Sequence, residues 1–138
     1  MHYYKKSNET GKLNEIECLP LITAHLGIEL KLTDKFNTFD FVSKENKVLV
    51  ELKSRTCKKD TYSTTMIGMN KVLKSQELVG HGWKIYYFFK FTDGLYYTRY
   101  SKSLQYSVNA GFRYDRPETV CNPTSYAYID VDLLTKIG

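Results

Sequence analysis

FDFVSKENKVLVELK, residues 39–53, holds two apolar stretches joined by a polar turn, and its reading decides the fold. Lys47–Lys53 reads as a strand, because Val48, Leu49, Val50 and Leu52 form a β-branched and apolar run without a breaker. Side chains alternate along a strand, so Leu49, Glu51 and Lys53 share one face and Val48, Val50 and Leu52 the other. Glu51 and Lys53 then lie roughly 6.6 Å apart along the strand. Asp40 belongs to the preceding apolar stretch, Phe39–Val42, and Ser43–Lys47 (SKENK) has the composition of a hairpin turn. A hairpin closed there brings Asp40 close to Glu51, so two carboxylates and one ammonium converge at the edge of an apolar sheet.

Two neighbouring carboxylates repel, and partial burial penalises both charges. A hard divalent cation resolves the conflict, since Mg²⁺ takes oxygen ligands and keeps waters that a phosphate can displace. Lys53 is placed to hold or polarise an attacking water, while the metal stabilises charge developing on a phosphate. That is the chemistry of phosphodiester hydrolysis.

Asp40, ten intervening residues and then Glu51-Leu52-Lys53 on an apolar strand resemble the core of the PD-(D/E)XK nuclease superfamily, with Phe39 where the motif's name has Pro. The resemblance implies a restriction-endonuclease-like α/β fold: a central mixed β-sheet of about five strands flanked by two helices, with an extra C-terminal edge strand. It also implies that a glutamate of the first helix supports the metal, which falls on Glu15. A Lys or Gln of the second helix is implied to face the site, which falls on Gln76 or Lys71. The competing reading of the motif is a solvated strand end bearing an ordinary Glu–Lys pair.

The chain has 138 residues, 42% hydrophobic and 25% charged, which fits one domain over 1–138 with a core at about 13–100 and a C-terminal extension at 101–138. No apolar run is long enough to span a membrane, and Met1–Gly11 lacks a signal-peptide core, so no membrane partner and no secretion are expected. An intracellular location follows, cytoplasmic or in a host nucleus or nucleoid. Cys18, Cys57 and Cys121 have no zinc-type spacing and fit a reducing compartment. The net charge of +5 is a modest argument for a polyanionic partner. Its placement says more, because Lys53, Arg55, Lys58 and Lys59 follow the active strand, with Lys71, Lys74 and Lys84 beyond; a solvated basic face is the alternative. The twelve tyrosines fall mostly in strand-like runs and read as sheet residues rather than base-stacking platforms.

Along the chain, Met1–Thr10 reads as polar and loose. A helix is expected from about Leu13 to His25, with Pro20 as a kink or break and Glu15 on its apolar stripe with Leu19 and Ile22. A first-turn carboxylate favouring the helix N-terminus is the other reading of Glu15. Ile28–Leu32 suggests a short strand, and Ser54–Thr61 a basic loop. Met66–Val79 reads as the second helix, with Met69, Val72, Leu73, Gln76 and Val79 on one face; an ordinary helix-edge glutamine is the alternative for Gln76. Trp83–Phe91 and Leu95–Tyr100 form an aromatic hairpin. Asn109–Thr124 reads as a long loop offering Arg113 and Arg116 to phosphates, and Tyr126–Val131 as a strand added at the sheet edge.

The expectation is a Mg²⁺-dependent endonuclease, with Mn²⁺ able to substitute, acting on double-stranded or branched DNA in repair, recombination or processing. In it Asp40, Glu51 and Glu15 hold the metal and Lys53 positions the water. Phosphate contacts fall to Arg55, Lys58, Lys59, Lys74, Arg113 and Arg116. Symmetric cutting would need a homodimer, with the aromatic hairpin as interface. Open alternatives are a silent nucleic-acid-binding domain of the same fold and an RNA-directed nuclease. Small stand-alone chains of this kind resemble phage or large-virus proteins.

Overall fold

A computed structural model of the chain describes residues 2–34, 38–111 and 124–137. Helix α1 (His2–Leu26) leads through β1 (Lys31–Leu32) and β2 (Phe41–Ser43) into β3 (Val48–Ser54). A 3-10 turn at Lys59–Thr61 and strand β4 (Thr64–Gly68) precede α2 (Met69–Val79), followed by β5 (Lys84–Phe91) and β6 (Gly94–Arg99). Strands β7 (Ser107–Gly111), β8 (Thr124–Asp130) and β9 (Thr135–Lys136) complete the chain. The central sheet is mixed and six-stranded, in the order β1-β2-β3-β5-β6-β9, and β4-β8-β7 form a second sheet of three. Among the described residues only the β3–β5 pair is parallel, with α2 inside the crossover between them, as a restriction-endonuclease-like fold requires.

The quoted stretch folds as a hairpin. Ser43 Oγ accepts from the Asn46 backbone N–H (3.3 Å) and side-chain amide (3.0 Å), and Lys47 takes a left-handed φ of 53° to close the turn. The register pairs Phe41 with Val50 and Val42 with Leu49, which sets Asp40 opposite Glu51 one step beyond the strand end. Both faces of β3 are covered, in keeping with its near-continuous apolar run. Val48, Val50 and Leu52 pack with Phe41, Phe88 and the Cys18 and Ile22 side of α1. Leu49 packs on the opposite face with Phe39, Val72 of α2, Tyr87, and Ile67 and Ile129 of the second sheet. Glu51 and Lys53 belong to this second face.

Several boundaries differ from the sequence reading. His2–Thr10 continues α1, because that segment has no proline and the helix-breaking Gly11 stands alone; Pro20 lies inside the helix without splitting it. Glu15 is therefore mid-helix, which removes the first-turn reading. Thr64–Gly68 is a strand with alternating burial, so α2 starts at Met69 rather than Met66. The strand at Thr124–Asp130 joins the second sheet between β4 and β7, and the C-terminal edge strand of the central sheet is Thr135–Lys136. Asn109–Gly111 belongs to β7, and the rest of the expected long loop, with Arg113 and Arg116, lies outside the described residues. Within the aromatic hairpin Tyr87, Phe88 and Phe89 are buried and β9 pairs with the β6 edge, so these rings form core.

Candidate active site

The backbone prepares the meeting of Asp40 and Glu51. Thr38–Asp40 bends away from the sheet just before β2, and Asp40 N–H still donates to Val50 O (2.9 Å). The next ladder position is filled by a side chain: Leu52 N–H donates to Asp40 Oδ2 (2.8 Å). A carboxylate thus replaces a carbonyl in the β2–β3 ladder and is fixed against the strand that carries Glu51. Thr33 fastens the bend from outside, its N–H donating to Asp40 O (3.0 Å) and its hydroxyl to Asp40 O (3.1 Å) and to Phe39 O.

Glu51 is 2% exposed, a carboxyl deep in the sheet. Lys71, reaching across from α2, sets its Nζ 3.0 Å from Glu51 Oε2 and donates to Thr38 O, and its ammonium lies 5.9 Å from the centre of the Phe39 ring. Lys53 Nζ stands 3.8 Å from the same Oε2 and is 37% exposed, so it reaches solvent while touching the buried acid. Neither ammonium is aligned as a hydrogen-bond donor, and Oε2 is left buried with Coulombic neighbours but no hydrogen bond. Burial pushes the Glu51 carboxyl up to about 8, helped by its hydrogen bond with Asp40 and by the Asp40 charge, while Lys53 and Lys71 pull it down. Without a cation this environment favours the protonated form of the Glu51 carboxyl at neutral pH.

This donor set suits a hard divalent cation. Two carboxyls held side by side, one with an orphaned buried oxygen, are what an oxygen-seeking ion would satisfy, and it would displace the Glu51 proton. Asp40 and Glu51 are the residues that would hold it. Among the described residues no three His, Cys, Asp or Glu side chains cluster, so Glu15 does not join them as a third carboxylate. It is half-buried on α1, one residue beyond Asn14, whose amide donates to Ser54 Oγ (2.8 Å) at the end of β3.

Of the two α2 candidates, Lys71 is the one brought against Glu51. Gln76 is exposed and hydrogen-bonds Tyr100, away from the carboxyls. The buried face of α2 is Val72 and Ser75, not the expected stripe through Leu73, which is 58% exposed. The small Ser75, whose hydroxyl donates to Lys71 O (2.7 Å) and accepts from Tyr87 OH (2.6 Å), lets that side of the helix approach the sheet. Among the basic residues, Arg55 is turned to the protein, donating from Nε to Thr65 Oγ1 (3.3 Å) and from Nη2 to Met66 O. Lys59 pairs with Asp60 (3.1 Å), Lys74 with Glu77 (3.3 Å), and Lys58 is exposed. Thr33 and Thr38 carried no local signal in the sequence, since each acts through contacts with segments apart from its own.

The fold is that of the PD-(D/E)XK nucleases, and comparison with known families agrees. The family model described as "Phage putative PDDEXK endonuclease" matches residues 4–137, and the chain belongs to that family of nucleases. Enzymes of the PD-(D/E)XK class typically use divalent metal ions. No match was found among curated proteins or among solved structures. No helix among the described residues is long and apolar enough to cross a membrane.

Proposed function

We propose that the protein is a Mg²⁺-dependent endodeoxyribonuclease in which Asp40 and Glu51 hold the ion. The observation that carries this reading is the buried, unsatisfied Glu51 Oε2 beside Asp40, with the exposed Lys53 ammonium 3.8 Å away. A divalent cation there would stabilise charge on the phosphate and favour deprotonation of a nearby water. Lys53 orients the attacking water and keeps it against the acid pair. Lys71 holds Glu51 and the Thr38 carbonyl in fixed relation, so that the Asp40 bend and β3 act as one unit. Glu15 supports the centre through water. DNA is the substrate, double-stranded or branched, and repair, recombination or processing is the setting; Mn²⁺ substitutes for Mg²⁺.

The test is cleavage of supercoiled, linear, single-stranded and four-way-junction DNA, and of RNA in parallel, with Mg²⁺, Mn²⁺ or EDTA. Glu51→Ala and Lys53→Ala are each expected to lose cleavage by at least about 10²-fold while circular dichroism stays native. Full activity in both variants would sink the assignment. DNA binding that is indifferent to metal, with no cutting by wild type, would favour a silent binding domain.

A further inference from the structure

The row Glu51–Lys53 does not end at Lys53. Arg55 is next on the same face, its N–H donating to Lys90 O (2.8 Å) as the chain leaves the sheet. Its guanidinium is anchored to β4 through Nε and Nη2, and Nη1 has no partner among the described residues. The following loop is pinned by Lys59 N–H donating to Asp93 Oδ1 (3.0 Å) and Thr92 N–H to Cys57 O (3.0 Å). Between this loop and the second sheet lies a groove of about 410 Å³, lined by Arg55, Cys57, Tyr62, Met66, Phe91 and Tyr128. Two of its lining side chains are well exposed, Tyr62 at 68% and Met66 at 39%. The solvated Tyr62 ring lies outside any strand.

Aromatic rings, a thioether and a guanidinium around one cleft form a surface for a flat, polarisable ring system with acceptors on its edge, which describes a nucleobase. Charge agrees: Arg55 forms one wall and Lys58 stands exposed on the same loop, while Lys59 is balanced by Asp60. The groove lies four residues along the strand from Glu51, roughly 13 Å, a reach of a few nucleotides. Bases inside a duplex are stacked and cannot enter such a cleft, whereas an unpaired one can. We propose that this groove binds an unpaired base of the substrate beside the cleavage site, so that a flap, junction or single-stranded segment is held productively. The proposal rests on the nuclease reading above and narrows its substrate class.

The test is binding of a fluorescein-labelled single-stranded oligonucleotide, and of the same sequence as a duplex, in EDTA by fluorescence anisotropy. Tyr62→Ala is expected to weaken single-strand binding on the order of tenfold, from the usual worth of one stacked base, and to leave duplex binding unchanged. Tyr62→Trp, which keeps a stacking face, is expected to retain single-strand binding. No single-strand binding by wild type, no loss in Tyr62→Ala, equal loss on duplex, or loss in Tyr62→Trp as well overturns the proposal; unchanged binding in Tyr62→Ala would leave the groove to a protein partner. The readout needs neither metal nor turnover. Absence of cleavage by wild type in Mg²⁺ therefore counts against the nuclease reading alone, and an unchanged Kd in Tyr62→Ala against the groove alone.

Discussion

The two faces of β3 put alternate residues of one strand to opposite uses. Towards α1, Val48, Val50 and Leu52 meet Phe41, Ile22 and Cys18 in a dry apolar layer. Towards α2, Leu49 is followed by Glu51, with Lys53, Lys71 and Asp40 around it. Each side chain on the first face gains free energy by leaving water, about 1.5–3 kcal/mol for a fully buried large aliphatic or aromatic group. On the second face a carboxyl has been buried without a hydrogen bond on one oxygen, at a cost in stability. The first face keeps the strand in place, and the second gives up part of that stability to bury an acid pair.

The largest effect that would expose this difference is in the pH dependence of stability without metal. Glu51 rises from an ordinary 4.5 to about 8 on folding. Between those values the unfolded chain releases the proton and the folded one keeps it, so wild-type stability falls as pH rises through this window and is level above it. At about 1.36 kcal/mol per pH unit the full penalty is on the order of 5 kcal/mol. Glu51→Gln is therefore expected to be more stable than wild type at pH 8 to 9, by up to that amount, with the gap closing towards pH 4. Denaturant titrations in EDTA across the range check this, and a gap that does not change with pH would mean that Glu51 is not held protonated. Divalent cation should reverse the trend in wild type alone, because binding takes the proton's place.

Phe41→Ala is the opposite case. The ring is fully buried on the α1 face and paired in register with Val50. Its loss is expected to destabilise the fold by about 3–5 kcal/mol, nearly independent of pH. Cleavage per folded molecule should survive at a temperature where the variant remains native. A collapse of that specific activity would show that the two faces are not separable.

How legible this was in the sequence depended on distance along the chain. The Asp40–Glu51 meeting could be read because it is local: the SKENK turn fixes the register, and period-two alternation puts Glu51 and Lys53 on one face. The second sheet could not be read, because Thr64 pairs with Asp130, a contact that no local pattern announces. Without that partner, Thr64–Gly68 looks like the approach to a helix. The rotation of α2 was hidden for a similar reason. Leu73 and Val72 are equally apolar in sequence, and only packing against Tyr87 and the second sheet decides that Val72 and Ser75 turn inward, which carries Lys71 to Glu51 and leaves Gln76 outside.

The smallest effect concerns how firmly the acid pair is held. Thr33 contributes a hydroxyl to the Phe39 and Asp40 carbonyls, while its backbone N–H bonds Asp40 O separately. Thr33→Val keeps the shape and the backbone bond and removes only the hydroxyl, for an expected loss of about 1 kcal/mol. If the bend merely connects β1 to β2, nothing else should follow. If it fixes Asp40 against Glu51, the midpoint of the Glu51-dependent pH transition should shift, because the hydrogen bond and charge of Asp40 both help to raise that carboxyl. A looser Asp40 lowers the midpoint from about 8, and metal affinity measured by proton release should weaken with it. Loss of stability with an unmoved midpoint would assign Thr33 to the framework of the first face and leave the acid pair positioned by β3 and Lys71 alone.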